Sequence, residues 1–138
     1  MKLSARNQLA GKVEKVQEGA VNGIVTLACE GLTVTGTISM SAIKELDLKP
    51  GREAVAIIKA TEVMIGLGEM KLSARNQFKG TVLSIAEGAV NDIVTMEVAG
   101  GHRISATISG NAVKELDLKP GREAVAVIKA TSVMFGAE

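Results

Sequence analysis

The sequence predicts an all-β protein with short helices, built as two tandem OB-like five-stranded β-barrels. Three observations lead to that class. The chain repeats itself, with MKLSARNQ at 1–8 and again at 70–77, and KELDLKPGREAVA at 44–56 and again at 114–126. Apolar residues alternate with polar or small ones through much of each copy, the two-residue period of a half-buried strand. One short helical stretch interrupts the strands in each copy, and Lys-Pro-Gly ends it both times.

The repeat sets the domain organisation. Early motifs are offset by 69 positions and later ones by 70, which divides the chain into modules 1–69 and 70–138 with one residue gained between Asn91 and Thr107. Single insertions of this kind fall in hairpin turns. A module of this size sits where a single core is barely sufficient, and Cys29, the only cysteine, offers no disulfide. Each copy is therefore expected to lean on the other or on further chains. The join Gly66-Leu67-Gly68-Glu69 is short enough to hold the two in contact as one rigid body.

Within each copy the elements follow in order. Val25, Leu27 and Cys29 alternate with Thr26, Ala28 and Glu30, as do Val94, Met96 and Val98 with Thr95 and Glu97. A hairpin at Glu30-Gly31, or the longer Ala99-Gly100-Gly101, leads to a second alternating run at 32–38. Ser41 and Asn111 are suited to cap helices at 42–46 and 112–116. Residues 54–58 and 124–128 are apolar on both faces, as in a strand covered on both sides, and a last strand is expected at 62–65 and 132–135. With one more strand ahead of these, the module is three strands, a short helix and two strands, the order of an OB-like barrel.

Composition removes several function classes. Sixteen Lys and Arg against fifteen Asp and Glu give a net charge of +1, which is no footprint for a nucleic acid. OB-like folds that bind single strands stack bases on aromatic side chains; here there is no Trp or Tyr, and Phe78 and Phe135 read as core. His102 aligns with Leu32 and Cys29 with Val98, so neither recurs as a catalytic or metal-binding residue would, and no phosphate-loop or dinucleotide fingerprint is present. The expectation is a protein that is not an enzyme. No apolar run is long enough to span a membrane and 1–8 lacks the core of a secretory signal, so the expected compartment is the cytoplasm.

What the copies share is a set of hydrogen-bond donors without acids. Ser4, Arg6 and Asn7 lie in one run, Ser39 precedes the helix, and Lys59 and Thr61 lie in another; Ser73, Arg75, Asn76, Ser109, Lys129 and Thr131 repeat them. A tetrahedral dianion accepts hydrogen bonds and donates none, so its site wants cations, hydroxyls and amides and no carboxylate.

The runs S-A-R-N at 4–7 and 73–76, G-A-V-N at 19–22 and 88–91, and K-A-T at 59–61 and 129–131 resemble those of the molybdate-binding Mop domain. A chain of two such domains resembles the di-Mop molbindins. The resemblance covers nearly the whole chain and implies non-catalytic binding of molybdate or tungstate for intracellular molybdenum storage and homeostasis, no organic cofactor, and assembly into a homotrimer. It assigns an interfacial site to Ser4, Arg6, Lys59, the amide of Ala60, Thr61 and Ser39, repeated by Ser73, Arg75, Lys129, Ala130, Thr131 and Ser109. A second kind of site, near a threefold axis, would use Gly19, Ala20, Val21 and Asn22, and Gly88, Ala89, Val90 and Asn91. The family also occurs as the effector part of transcription regulators and transporter ATPases, for whose other domains this chain has no room, so a free-standing store is expected. An OB-like module for nucleic acid or protein partners is the alternative, against which the composition speaks.

Overall fold

The computed structural model describes residues 2–69 and 71–138. The first copy runs β1 (Asn7–Gln17), β2 (Asn22–Cys29), β3 (Leu32–Ser39), helix α1 (Met40–Glu45), β4 (Glu53–Ile58), a 3-10 turn (Ala60–Glu62) and β5 (Met64–Gly66). The second runs β6 (Asn76–Ala86), β7 (Asn91–Val98), a 3-10 turn (Ala99–Gly101), β8 (His102–Ser109), helix α2 (Gly110–Glu115), β9 (Glu123–Ile128), a 3-10 turn (Ala130–Ser132) and β10 (Met134–Gly136). The extra residue lies in the β7–β8 hairpin, as expected.

The fold is mostly β, with two five-stranded antiparallel sheets, each curled on itself. Their strand orders, β10-β4-β1-β2-β3 and β5-β9-β6-β7-β8, depart from the sequence reading in one respect: each copy gives its last strand to the other. Phe135 of β10 pairs with Ala56 of β4, and Ile65 of β5 pairs with Ala126 of β9. The exchange has a steric counterpart. A Cβ on Gly36 of β3 would stand 2.5 Å from the Phe135 ring, whereas the second copy has Ala106 at the position of Gly36 and receives the smaller Ile65. Large against small on one side, and small against larger on the other, fits each last strand to the sheet it joins.

The strand alternation holds: Val25, Leu27, Cys29 and Val34 are buried in one sheet and Val94, Met96, Val98 and Ile104 in the other. Both Phe78 and Phe135 are core. In β1 the register to β2 slips between Val13 and Lys15, and in β6 between Val82 and Ser84, a bulge that bends the strand and lets the sheet curl.

Two local readings need correction. Ser39 and Ser109, not Ser41 and Asn111, cap the helices, each hydroxyl accepting from the amide of Ala42 or Ala112 at 3.1 Å. The helices thus begin at Met40 and Gly110, because β3 and β8 run directly into them and leave the extended serine as the last strand residue. The last strands start at Met64 and Met134, two residues late, since 3-10 turns occupy their expected beginnings.

The helix ends are alike. The amide of Leu48 reaches Ile43 O at 3.0 Å and that of Asp47 reaches Lys44 O at 3.1 Å, with Asp47 left-handed at φ 52°. This is a Schellman closure with aspartate where glycine is usual. Lys49-Pro50-Gly51-Arg52 then turns with Gly51 at φ +92° and a bond from Arg52 N to Lys49 O of 3.0 Å, as a type II turn requires.

Candidate functional site

The duplicated donor runs meet where the two copies cross. Ser4, Arg6, Lys59, Ala60 and Thr61 line one open groove of about 350 Å³, and Ser73, Arg75, Lys129, Ala130 and Thr131 line its counterpart of about 600 Å³. Neither groove has a carboxylate in its wall. All the charged and hydroxyl side chains named are exposed, and only Ala60 and Ala130 are buried.

Each groove is composite. Thr107 of β8 completes the first and Thr37 of β3 the second, so the motifs of one copy face a threonine of the other. Neither threonine was singled out by sequence, although both occupy equivalent positions. Ser39 and Ser109 lie two residues further along these strands, outside both groove walls. Ser109 thus belongs to the strand that borders the groove of Ser4 and Arg6, and Ser39 to the strand that borders the other. Each serine hydroxyl still has its own proton to donate after accepting the helix cap.

Local structure fixes the donors. Gln8, missed by the sequence reading though part of the identical run, donates Nε2 to Leu3 O at 3.1 Å and Ala5 O at 2.9 Å, which folds the segment carrying Ser4 and Arg6. Gln77 does the same to Leu72 and Ala74. After Lys59 the 3-10 turn uses Lys59 O and Ala60 O as acceptors, and the amides of Ala60 and Thr61 find no acceptor among the described residues. They remain available to an anion.

Asn7 and Asn76, grouped by sequence with the donors, are structural. Each is 1% exposed. Asn7 Nδ2 donates to Ile58 O and Ser105 O at 3.2 and 2.8 Å, and its Oδ1 accepts from Ser105 N; Asn76 repeats this with Ile128 and Thr35. The residue next to each arginine therefore locks β1 to β8 and β6 to β3.

The second candidate runs, 19–22 and 88–91, form tight exposed loops whose tips, Val21 and Val90, are 74% and 76% exposed. A single chain brings these loops to no common site.

The remaining singular residues are accounted for by packing. Cys29 is buried, and burial raises its thiol pKa above the usual value. His102 Nε2 lies 2.7 Å from Glu30 O and ties one hairpin to the other. Among the described residues no group of three His, Cys, Asp or Glu is placed to hold a metal ion, and no helix is long and apolar enough to cross a membrane.

Two exchanged half-barrels with paired, acid-free donor grooves define a tandem ligand-binding module. The chain belongs to the TOBE domain family, whose model matches residues 3–65 and 72–135. The crystal structure of the cytoplasmic molybdate-binding protein ModG, with molybdate bound, superposes with a TM-score of 0.97 at 41% identity over the whole of both chains. The molybdenum transport protein ModE of Herbaspirillum seropedicae is 37% identical over all of this chain, which spans only about half (52%) of that relative's length. A probable molybdenum-pterin-binding protein of Haemophilus influenzae is 59% identical over its full length and half of this chain. These three proteins are described as binding or transport proteins.

Proposed function

We propose that this protein binds molybdate and tungstate dianions without transforming them, as a cytoplasmic store that buffers molybdenum. The observation that carries this reading is the convergence of Arg6 and Lys59, and again of Arg75 and Lys129, in grooves with no carboxylate. Its likeness to molybdate-bound ModG over the full length supports the same ligand.

The ligand's negative charge is met by the guanidinium and the ammonium, and its oxygens by Ser4, Thr61, the Ala60 amide and Thr107. Ser73, Arg75, Lys129, Ala130, Thr131 and Thr37 do the same in the second groove. Leu3 and Met134 flank the first groove and Leu72 and Met64 the second, all exposed. Apolar rims around a cationic groove suit burial against another chain, which supports a homotrimer with the grooves closed at its interfaces.

Titration calorimetry with molybdate, tungstate, sulfate and phosphate tests the reading. Arg6→Ala and Arg75→Ala should each weaken their own class of site about 10- to 150-fold, as loss of a charge-assisted hydrogen bond of about 1.5 to 3 kcal/mol requires. Equal competition by sulfate, or unchanged affinity in the double variant, would refute it. Light scattering that returns the mass of one chain would refute the trimer.

A further inference from the structure

Where the two copies cross, equivalent elements meet each other, and at three places the residues that meet are unlike. Glu62 and Ser132 hold the same position in the 3-10 turns that follow the two groove lysines, and Ser132 donates its hydroxyl to Glu62 Oε2 at 3.1 Å. The hairpins after β2 and β7 also touch. A Cβ on Gly31 would stand 2.8 Å from Gly100 Cα, and His102 Nε2 lies 2.7 Å from Glu30 O. The first copy has Leu32 in place of His102 and lacks the added residue of the second hairpin. In the exchanged strands, Phe135 lies over Gly36 in one sheet, while Ile65 joins the sheet that carries Ala106.

The clamps at the same crossing show the contrast. Asn7 on Ser105 and Asn76 on Thr35 make the same bonds in both directions, and each bond is to backbone, which is the same whichever copy supplies it. The three unlike contacts discriminate where the clamps do not. Two first copies would bring two Glu62 carboxylates together, and like charges repel. They would also set Ile65 where Gly36 leaves room for a ring, with a void as the result, and would offer the Glu30 carbonyl only the Leu32 side chain, which donates nothing. Two second copies would drive Phe135 against the Ala106 methyl and overpack the core, and would leave the Ser132 hydroxyl without its carboxylate.

We propose that the crossing face of each copy is built for an unlike copy: the first module takes a second module as its strand-exchange partner and rejects another first module, and the second module selects in the same way. In an assembly of several such chains, like copies are neighbours. Trade between like copies of different chains would link assemblies together instead of closing each chain on itself, and the unlike contacts oppose that outcome. Partner choice of this kind needs no ligand.

Substitutions in the full-length chain create each like crossing without separating the modules. Ala106→Gly, Ser132→Glu and Phe135→Ile together give both sides first-copy residues. Gly36→Ala, Glu62→Ser and Ile65→Phe together give both sides second-copy residues, and all six together transpose the unlike contacts. Denaturant unfolding at one protein concentration, with no oxyanion added, should find the folded-to-unfolded ratio of each like chain at least about tenfold below wild type, a loss of about 1.4 kcal/mol, and that of the transposed chain within about threefold of wild type. Where a triple variant fails to fold, the charge pair decides: Ser132→Glu alone should lower the melting temperature at low salt and less so at high salt, and adding Glu62→Ser should restore it. A like chain as stable as the wild type, a transposed chain no more stable than the like chains, or a Ser132→Glu chain that Glu62→Ser does not rescue would overturn the inference.

Discussion

The side chain of Asn7 pairs with the backbone of Ser105 as another strand would, donating Nδ2 to its carbonyl at 2.8 Å and accepting its N–H at 2.7 Å. One side chain thereby joins residues 98 positions apart, and it sits between Arg6, which faces the groove, and Gln8, which shapes it. Asn7→Ala should cost about 2 to 3 kcal/mol, because the Ser105 amide and carbonyl lose their partner in a half-buried setting. Denaturant unfolding measures the loss, and a value below about 0.5 kcal/mol would show that water replaces the side chain.

Thr107 gives a test of the composite groove. Thr107→Val preserves shape and β propensity but removes the hydroxyl, so affinity at the sites containing Arg6 should fall about 2- to 10-fold, as for a neutral hydrogen bond of about 0.5 to 1.5 kcal/mol. The sites containing Arg75 should be unaffected. Equal weakening of both classes in a calorimetric titration would contradict the placement of Thr107 in one groove.

Gly36 and Phe135 should show strong coupling. Gly36→Ala places a methyl 2.5 Å from the ring and should destabilise by about 1 to 3 kcal/mol, the cost of overpacking a core. Phe135→Ile in that background recreates the Ala106 and Ile65 combination of the other sheet and should recover much of the loss. A double-mutant cycle with no coupling energy would mean the exchanged strands are chosen by something other than these two residues.

Asp47 adopts a left-handed conformation that favours glycine. Asp47→Gly should therefore stabilise the protein, by up to about 1 kcal/mol, even though it removes the exposed pair with Lys49 at 3.2 Å, which is worth little at the surface. Asp117→Gly should behave alike. A fall in melting temperature in both variants would assign the carboxylate a role beyond the turn.

Cys29 predicts a pH dependence. Its folded pKa is raised above the ordinary 9.0 by burial, so the unfolded chain loses the thiol proton first as pH rises. The stabilising contribution is complete below about pH 9 and declines above it. Cys29→Val should remove that part of the decline, and an identical alkaline slope in wild type and variant by chemical denaturation would disprove the assignment.

Much of this was legible in the chain. The alternation around Val25 and Val94 gave their strands because one face of each is buried, and the duplicated Ser4, Arg6 and Lys59 announced themselves by recurring without acids. Strand exchange was not legible, because the last strands of the two copies satisfy the same ladder and differ mainly in the bulk of Ile65 and Phe135. Ser39 and Ser41 are both serines two positions apart, either of them chemically suited to cap a helix, and only the abrupt passage from β3 into α1 decides between them. Asn7 looked like a ligand for the same reason that it is a clamp: an amide both donates and accepts.

The traded last strands also say what the duplication achieves. A copy that gives its last strand away keeps four strands and takes its fifth from another copy, and between separate chains that trade would depend on concentration. Joined by Gly66-Leu67-Gly68-Glu69, the two traders are always at hand, and a bimolecular encounter becomes an intramolecular step with a high effective concentration. The tandem chain is in this sense a dimer made permanent by the ribosome, able to stay paired at dilutions where separate copies would come apart.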